Sequence, residues 1–418
     1  MNVEIITVGD ELLIGQVVDS NSAWMGKALN DIGFNVVRKT AVGDEEEAIL
    51  QAISAARSRV SVVLMTGGLG PTKDDITMRT LCRYFDCGTR FSDEVYSNIE
   101  RIFNYNGRTL NELTRNQAIV PDNCTVIQNR VGTAPCTWFE RDNFVLVSLP
   151  GVPVEMKWLM TNEILTRLQK RFARDIFILH KSYLTTGFTE SALAIHLTDF
   201  ENNLPSEVKL AYLPQQGIIR LRLTAKCKQS SEAEAIIKTQ GIKLEQLLDG
   251  HIIADEDKNI EVVVGERLRH LGATIATAES CTGGAIAAAL TSIAGSSDYF
   301  KGGVVSYSNS VKINVLGVNP DDLDKHGAVS REVVEQMAKG ALKAIGSDFA
   351  IATSGIAGPG GGTAEKPVGT VWIAVAAKDN SVSSKMFTFG TVREQNIQRA
   401  VNMGFLFFLD FLQKIKCV

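Results

Sequence analysis

The chain has 418 residues with a formal charge of -4, and 45% of it is hydrophobic against 22% charged. That length exceeds one ordinary core and implies two or three globular domains, while the weak negative charge gives no basic field for nucleic acid. Seven scattered cysteines without a Cys-x-x-Cys pair read as reduced cytoplasmic thiols, and the absence of a basic leader or a long apolar run predicts neither a signal peptide nor a membrane span.

The first part alternates strand and helix. Strands are predicted over Val3–Val8, Phe34–Val37 and Val60–Met65. Between them lie helices over Asn21–Asn30 and Glu45–Ser58, the second opened by an Asp44/Glu47 capping box. The third strand runs into Thr66-Gly67-Gly68-Leu69-Gly70-Pro71, after which Asp74-Asp75 opens a helix to about Phe85. A hairpin over Cys136–Leu149 turns at Arg141-Asp142-Asn143, and Pro150-Gly151-Val152-Pro153 leads into a helix through Leu168. Such alternation predicts a parallel sheet covered on both faces, with ligands gathering beyond the carboxyl ends of the strands.

From about Asp175 to Gly250 the pattern changes to a small α+β unit. It has a strand over Ile176–Leu184, helices over Ser191–Phe200 and Glu232–Leu248, and a hairpin of Lys209–Leu213 with Ile218–Ala225. No acid cluster or glycine loop marks it, so a connecting or dimerising role is expected. The charged stretch 254–259 is the candidate linker into a helix over Ile260–Leu271. Then come strand Ala273–Thr277, helix Ala285–Ile293, strand Val304–Tyr307, a Ser330-capped helix over Glu332–Ile345 and strand Phe349–Thr353. A glycine-dense loop over 354–363, strands Thr370–Ala376 and Lys385–Phe389 and a helix over Asn396–Ile415 close the chain.

Two stretches carry chemistry. In the first, a glycine loop (Thr66, Gly67, Gly68, Gly70) offers backbone donors to phosphate. Asp10, Glu11, Asp74 and Asp75 offer carboxylates to a divalent cation, which is commonly held by one or two carboxylates together with substrate phosphates. The bland alternative is that Asp74 and Asp75 only cap a helix. Neither a dinucleotide fingerprint nor a P-loop is present. In the second, Glu279-Ser280-Cys281-Thr282-Gly283-Gly284 turns a strand into a helix, with Tyr307 and Lys312 following. Ser280, Cys281 and Thr282 compete as nucleophile. With no histidine close in sequence, a desolvated Lys312 is the candidate base, Tyr307 relaying the proton or orienting the amine. The bland reading makes Ser280 a helix cap and Lys312 a surface residue.

Taken together, these motifs resemble the CinA family. Gly9-Asp10-Glu11-Leu12-Leu13, Thr66–Asp75 and Pro150-Gly151-Val152-Pro153-x-Glu155-Met156 are similar to its N-terminal molybdopterin-binding-like domain of MoaB/MogA type. Ala278–Gly284, Tyr307-Ser308-Asn309-x-Val311-Lys312 and Gly355–Thr363 match its C-terminal domain, which is similar to PncC-type amidohydrolases. The resemblance implies an α/β protein with a doubly wound domain over 1–172, a KH-like α+β domain over 173–253 and an α/β amidohydrolase domain over 254–418. It lacks the GXXG loop that RNA binding would need.

The resemblance further implies hydrolysis of nicotinamide mononucleotide (NMN) to nicotinate mononucleotide and ammonia without a metal. Ser280 would be nucleophile, Lys312 base and Tyr307 the supporting hydroxyl. Residues Cys281, Thr282, Gly283, Gly284, Gly355, Ile356, Ala357 and Gly358 would hold the oxyanion or the 5′-phosphate. The family's Gly-Asp-Arg reads Gly390-Thr391-Val392-Arg393 here, so Arg393, with Arg399 as fallback, would contact substrate. For the N-terminal domain the resemblance implies an ADP-ribose pyrophosphatase using Mg, Mn or Co. The expected partners are small nucleotides, with no membrane and no nucleic acid, and a cytoplasmic homodimer is expected. The rival expectation is a non-catalytic nucleotide- or pterin-binding accessory protein linked to competence.

Overall fold

A computed structural model describes residues 1–72, 75–105, 109–172 and 177–415. The chain forms two compact units, Met1–Leu179 with Lys226–Glu234, and His180–Ala225 with Ala235–Val418.

In the first unit a six-stranded sheet has three parallel neighbours at its heart. Asn2–Val8 lies between Asn35–Val42 and Val62–Thr66, and the hairpin Cys136–Arg141/Phe144–Leu149 extends the sheet, Phe144–Leu149 running parallel to Val62–Thr66. Residues 62–66 and 144–149 are buried throughout, as strands covered on both faces must be. One face packs Val3, Ile5, Leu64 and Val147 on Met25, Leu29 and Met156–Leu168; the other packs Ile6, Val8 and Met65 on Ile49, Ile53, Leu81 and Phe85. The predicted helix after Pro153 runs to Arg171 with a π-turn at Met160–Ile164.

Two local expectations fail for one reason. The capping box does not form, because Glu45 precedes the helix without a side-chain cap, and Asp44 instead accepts the Asp10 N–H at 3.0 Å. Nor does Asp75 open a helix. The helix starts at Thr77, and the Asp75 carboxylate accepts the Thr72 N–H and hydroxyl at 2.8 and 2.5 Å. Each carboxylate is spent on a backbone N–H outside the helix predicted for it: Asp75 on Thr72, three residues back, and Asp44 on Asp10, 34 residues away. Asp74 lies outside the described residues.

In the second unit a small four-stranded sheet, ordered Val208–Gln215, Ile218–Cys227, Phe177–Thr185, Ile252–Ala254, carries the predicted hairpin. Ile252–Ala254 is a strand that the linker expectation passed over. The larger sheet is ordered Phe300–Val305, Ile275–Glu279, Phe349–Gly355, Thr370–Ala377, Val382–Thr388, its first three strands parallel and its last two antiparallel. Ile275 and Ile351 face the helices Ile260–Leu271, Ala285–Thr291 and Arg393–Lys414, while Ala276, Ala278, Ala350 and Ala352 face Arg331–Ile345. Strand periodicity of two sends alternate residues to opposite helical layers. Ser330 caps its helix as predicted, accepting the Val333 N–H at 3.4 Å.

Candidate active site

The second unit's site begins where Ile275–Glu279 ends between two parallel neighbours. The Ser280 N–H donates to Thr353 O at 3.0 Å and the Ser306 N–H to Glu279 O at 2.8 Å. The serine is thereby held at the carboxyl edge of the sheet. A short helix over Asn309–Asn314, capped by Ser308, turns Lys312 inward. Lys312 is only 1% exposed, and its Nζ donates to Ser306 O at 2.7 Å and to Ser280 Oγ at 3.1 Å. Among the described residues no carboxylate pairs with it. Desolvation therefore lowers its pKa from the ordinary lysine value, opposed only by the Cys281 thiol. A buried amine without a counterion, touching a strand-end hydroxyl, is the arrangement a serine–lysine pair requires. Neither bland reading describes it, since Gly284, not Ser280, precedes the helix and Lys312 is inside.

The rival nucleophile is poorly placed. Cys281 is buried, and desolvation pushes its thiol up to about 12, leaving almost no thiolate near neutrality. Thr282 is also buried, with its hydroxyl spent on Thr353 Oγ1 at 2.7 Å.

Glu279 was not singled out by sequence. It is buried, and its carboxylate accepts N–H groups from Gly284 and Ile286 at 3.0 Å and from Ala287 at 2.9 Å. The helix end that sequence reading offered to an anion is thus filled by the protein's own carboxylate. This corrects the expectation for Gly283 and Gly284, since the Gly283 N–H also turns back, to Ser280 O. Among the described residues, the amides of Cys281 and Thr282 are the turn donors for which no backbone acceptor is found.

Tyr307 does not bridge Ser280 and Lys312, which meet directly. It is 62% exposed, and its hydroxyl accepts from Arg393 Nη2 at 3.2 Å. Arg393 Nη1 donates to Gly358 O at 2.9 Å, tying tyrosine, arginine and glycine loop together. Arg399 lies beside Gly390. Asn396, which sequence reading also missed, donates to Ala357 O at 3.0 Å and to Gly390 O at 2.8 Å. The loop itself is built back onto the sheet. The Ile356 N–H donates to Thr370 O and so is not offered to a ligand, while a Cβ on Gly355 would meet Val371, so that position must stay small.

In the first unit a cavity of about 570 Å³ is lined by Asp10, Glu11, Asp44, Asp75, Thr66, Gly67 and Gly68, with apolar Leu12, Ile14, Val17 and Val18. Asp10 and Asp44 exchange hydrogen bonds, each carboxylate accepting the other's N–H at 3.0 and 3.1 Å. The Asp44 pKa is raised, first by desolvation and then by Asp10, Glu11 and Asp75 around it. Thr66 and Gly67 cannot serve as free phosphate donors. The Thr66 hydroxyl donates to Pro150 O at 2.7 Å and the Gly67 N–H to Leu149 O at 3.2 Å. Their part is steric, because a Cβ on Gly67 would lie 2.1 Å from Val8 O. Gly70 sits over the Asp75 carboxylate and faces a neighbouring cavity with it. Among the described residues no three His, Cys, Asp or Glu side chains converge to hold a metal unaided. The donor set does suit a cation that takes one or two carboxylates and completes its shell with phosphate and water.

Fold and sites together define a multidomain α/β protein, with a buried serine–lysine pair in one unit and an acid-lined cavity in the other. Three family profiles match the chain in succession: a probable molybdopterin binding domain over residues 4–170, a damage-inducible protein CinA KH domain over 180–254 and a CinA C-terminal domain over 257–412. A CinA-like protein of Flavobacterium psychrophilum is 45% identical over 406 residues, 97% of each chain, and one of Cytophaga hutchinsonii is 43% identical over 395 residues, 94% of each. The crystal structure of competence/damage inducible protein CihA from Agrobacterium tumefaciens shares 41% identity, covering 37% of this chain and 96% of that one with a TM-score of 0.35. The chain belongs to the CinA family. Among the described residues no helix is long and apolar enough to cross a membrane.

Proposed function

We propose that the C-terminal domain, residues 254–418, hydrolyses NMN to nicotinate mononucleotide and ammonia. The observation that carries this reading is the buried Lys312 Nζ, unpaired with any carboxylate among the described residues, 3.1 Å from Ser280 Oγ. In its neutral form Lys312 takes the serine proton as Oγ attacks the carboxamide carbon. The amides of Cys281 and Thr282 receive the oxyanion. Collapse expels ammonia, which carries off the proton held by Lys312, and leaves an ester on Ser280. Lys312 then deprotonates the water that cleaves the ester, and Ser280 recovers its proton. Arg393 and Tyr307, at the exposed mouth, suit the 5′-phosphate, and no metal takes part. Purified protein should release ammonia from NMN, and Ser280→Ala should abolish it while Cys281→Ala keeps it. The reverse pattern would sink the assignment.

We further propose that residues 1–172 are an ADP-ribose pyrophosphatase. Asp10, Glu11 and Asp75, with Asp74 outside the described residues, would hold Mg, Mn or Co, which would supply positive charge to offset that of the substrate's phosphates. A second reading, a nucleotide- or pterin-binding module without turnover, is favoured by the lack of three converging ligands among the described residues. AMP release from ADP-ribose upon adding a divalent ion separates the two. The expected partners remain small nucleotides, for a cytoplasmic homodimer with residues 173–253 as its connecting domain.

A further inference from the structure

Neither activity uses three thiols at the far end of the helix that follows the N-terminal glycine loop. That helix, Thr77–Phe85, ends at Asp86 with φ 50° and ψ 60°. The Asp86 N–H returns to Arg83 O at 3.3 Å and the Cys87 N–H to Cys82 O at 3.0 Å. These are the two bonds of a Schellman turn, which brings together the side chains of its first and sixth residues. Such turns frequently place an apolar pair there. Here both are cysteines, and the Cys82 thiol is directed to Gly88 O, one residue beyond Cys87, at 3.9 Å. Cys124, between the strands Ile119–Pro121 and Thr125–Ile127, lies close by, its thiol directed to Pro121 O at 3.5 Å.

All three are partly exposed, unlike buried Cys136, Cys227 and Cys281. Asp122 is a near neighbour of the group. Yet no His, Cys, Asp or Glu cluster among the described residues has the geometry to hold a metal, so these thiols are not gathered around a cation.

We propose that Cys82 and Cys87 are a redox-active dithiol that closes to a disulfide by exchange with a low-molecular-weight disulfide, Cys124 staying outside the bond. One protein thiolate attacks the small disulfide, forming a mixed disulfide and releasing one small thiol. The second protein sulfur then attacks the mixed disulfide, closing the Cys82–Cys87 bond and releasing the other. Two electrons pass from the protein sulfurs to the small disulfide, and the two thiol protons end on its products. Because the turn's Cys87 N–H to Cys82 O bond already brings the two residues together, closure asks for side-chain rotation at the end of a fixed turn. Burial pushes the Cys82 thiol up to about 12 and raises Cys87 too, so exchange is slow and is read at equilibrium. Cys82 also lines a cavity with Gly68, Gly70 and Asp75, so the bond would alter a wall next to the N-terminal acids.

The test equilibrates the full chain with oxidised and reduced glutathione at several ratios, alkylates remaining thiols and maps peptides by mass spectrometry. As the ratio becomes oxidising, alkylation of Cys82 and Cys87 should be lost together, with a linked peptide that dithiothreitol reopens. Cys124→Ser should retain that peptide. Cys87→Ser should replace it with Cys82 either alkylated or glutathionylated. Full alkylation of both cysteines at every ratio, or a bond from Cys124 to either, overturns the proposal. The wild-type map decides even if a variant fails to fold.

Discussion

The two candidate sites start from the same plan and arrive at opposite electrostatics. Each lies where a parallel strand gives way to a glycine-bearing turn and then a helix. In the N-terminal domain the polar groups stay wet: Asp10 and Glu11 are exposed, and five carboxylate residues (Asp10, Glu11, Asp19, Asp44 and Asp75) line one cavity. Their mutual repulsion calls for a positive charge from solution. In the C-terminal domain the carboxylate of Glu279 accepts three amide N–H groups, and an amine is buried against a hydroxyl. There the proposed base is kept from both water and a carboxylate partner among the described residues. The same strand-end geometry thus leaves acids unneutralised around one cavity and locks them away beside the other site, which is the difference that the two proposed chemistries, one metal-assisted and one metal-free, would exploit.

The largest expected effect tests the dry site. Ser280→Ala should lower NMN deamidation by at least about 10⁴-fold, and Lys312→Met by about 10²–10⁴-fold, since a positioned base contributes in that range. A chelator should leave the rate unchanged. The wet site should answer the other way: chelation should abolish AMP release from ADP-ribose, and Asp75→Asn should cost about 10–100-fold in metal affinity or rate, read by metal titration. If chelation silenced both reactions, the contrast would collapse.

Much of this contrast was legible in sequence, because it rests on strand ends and on which residues follow them. The strands around Val3–Val8, Val60–Met65, Thr274–Thr277 and Phe349–Thr353 were apolar enough to read, and the turn residues came with them. The base was reached by elimination of histidine, and the inward helix that turns Lys312 to Ser280 was not foreseen. Glu279 escaped because its acceptance of three amides depends on how the turn folds back, not on the four-residue spacing of a capping box. Asp44 escaped for the converse reason: its spacing to Glu47 fitted a capping box, yet its carboxylate found a donor 34 residues away at Asp10. Between Gly88 and Ile127 the strands Thr89–Phe91, Ile119–Pro121 and Thr125–Ile127 are too short to show a period of two. The helix Asp93–Tyr105 was readable from Ser92, which accepts the Val95 N–H, and from buried Val95 and Ile99, but was passed over.

A finer test of the dry site is its pH dependence. Lys312 acts as base only when neutral, and desolvation lowers its pKa from 10.5. Deamidation kcat/KM should therefore climb about tenfold per pH unit below that lowered pKa and level off at a lower pH than a solvent-exposed lysine would give. A profile that rises only at the ordinary lysine pKa would mean that the amine is hydrated in solution. Glu279→Gln should instead act on stability. Replacing one carboxylate oxygen by an amide leaves buried helix N–H groups without their charged acceptor, a loss of about 1–3 kcal/mol, read from denaturant midpoints.

The smallest effect belongs to the exposed mouth, where the two regions are most alike in being wet. Tyr307 and Arg393 hold each other at 3.2 Å, and Arg393 also holds the Gly358 carbonyl, so each could act by touching substrate or by shaping the loop. Tyr307→Phe removes only the hydroxyl. A group that merely steadies Arg393 should cost a few-fold in KM, about 1 kcal/mol, with kcat kept. Arg393→Lys keeps the charge but loses the planar fork, and should raise KM for NMN by about tenfold, whereas the nucleoside lacking the 5′-phosphate should bind both proteins alike. Equal losses for nucleotide and nucleoside would assign Arg393 to loop geometry. A kcat loss in Tyr307→Phe comparable to that of Lys312→Met would restore the tyrosine to the proton path, and the buried amine would then need it despite its direct contact with Ser280.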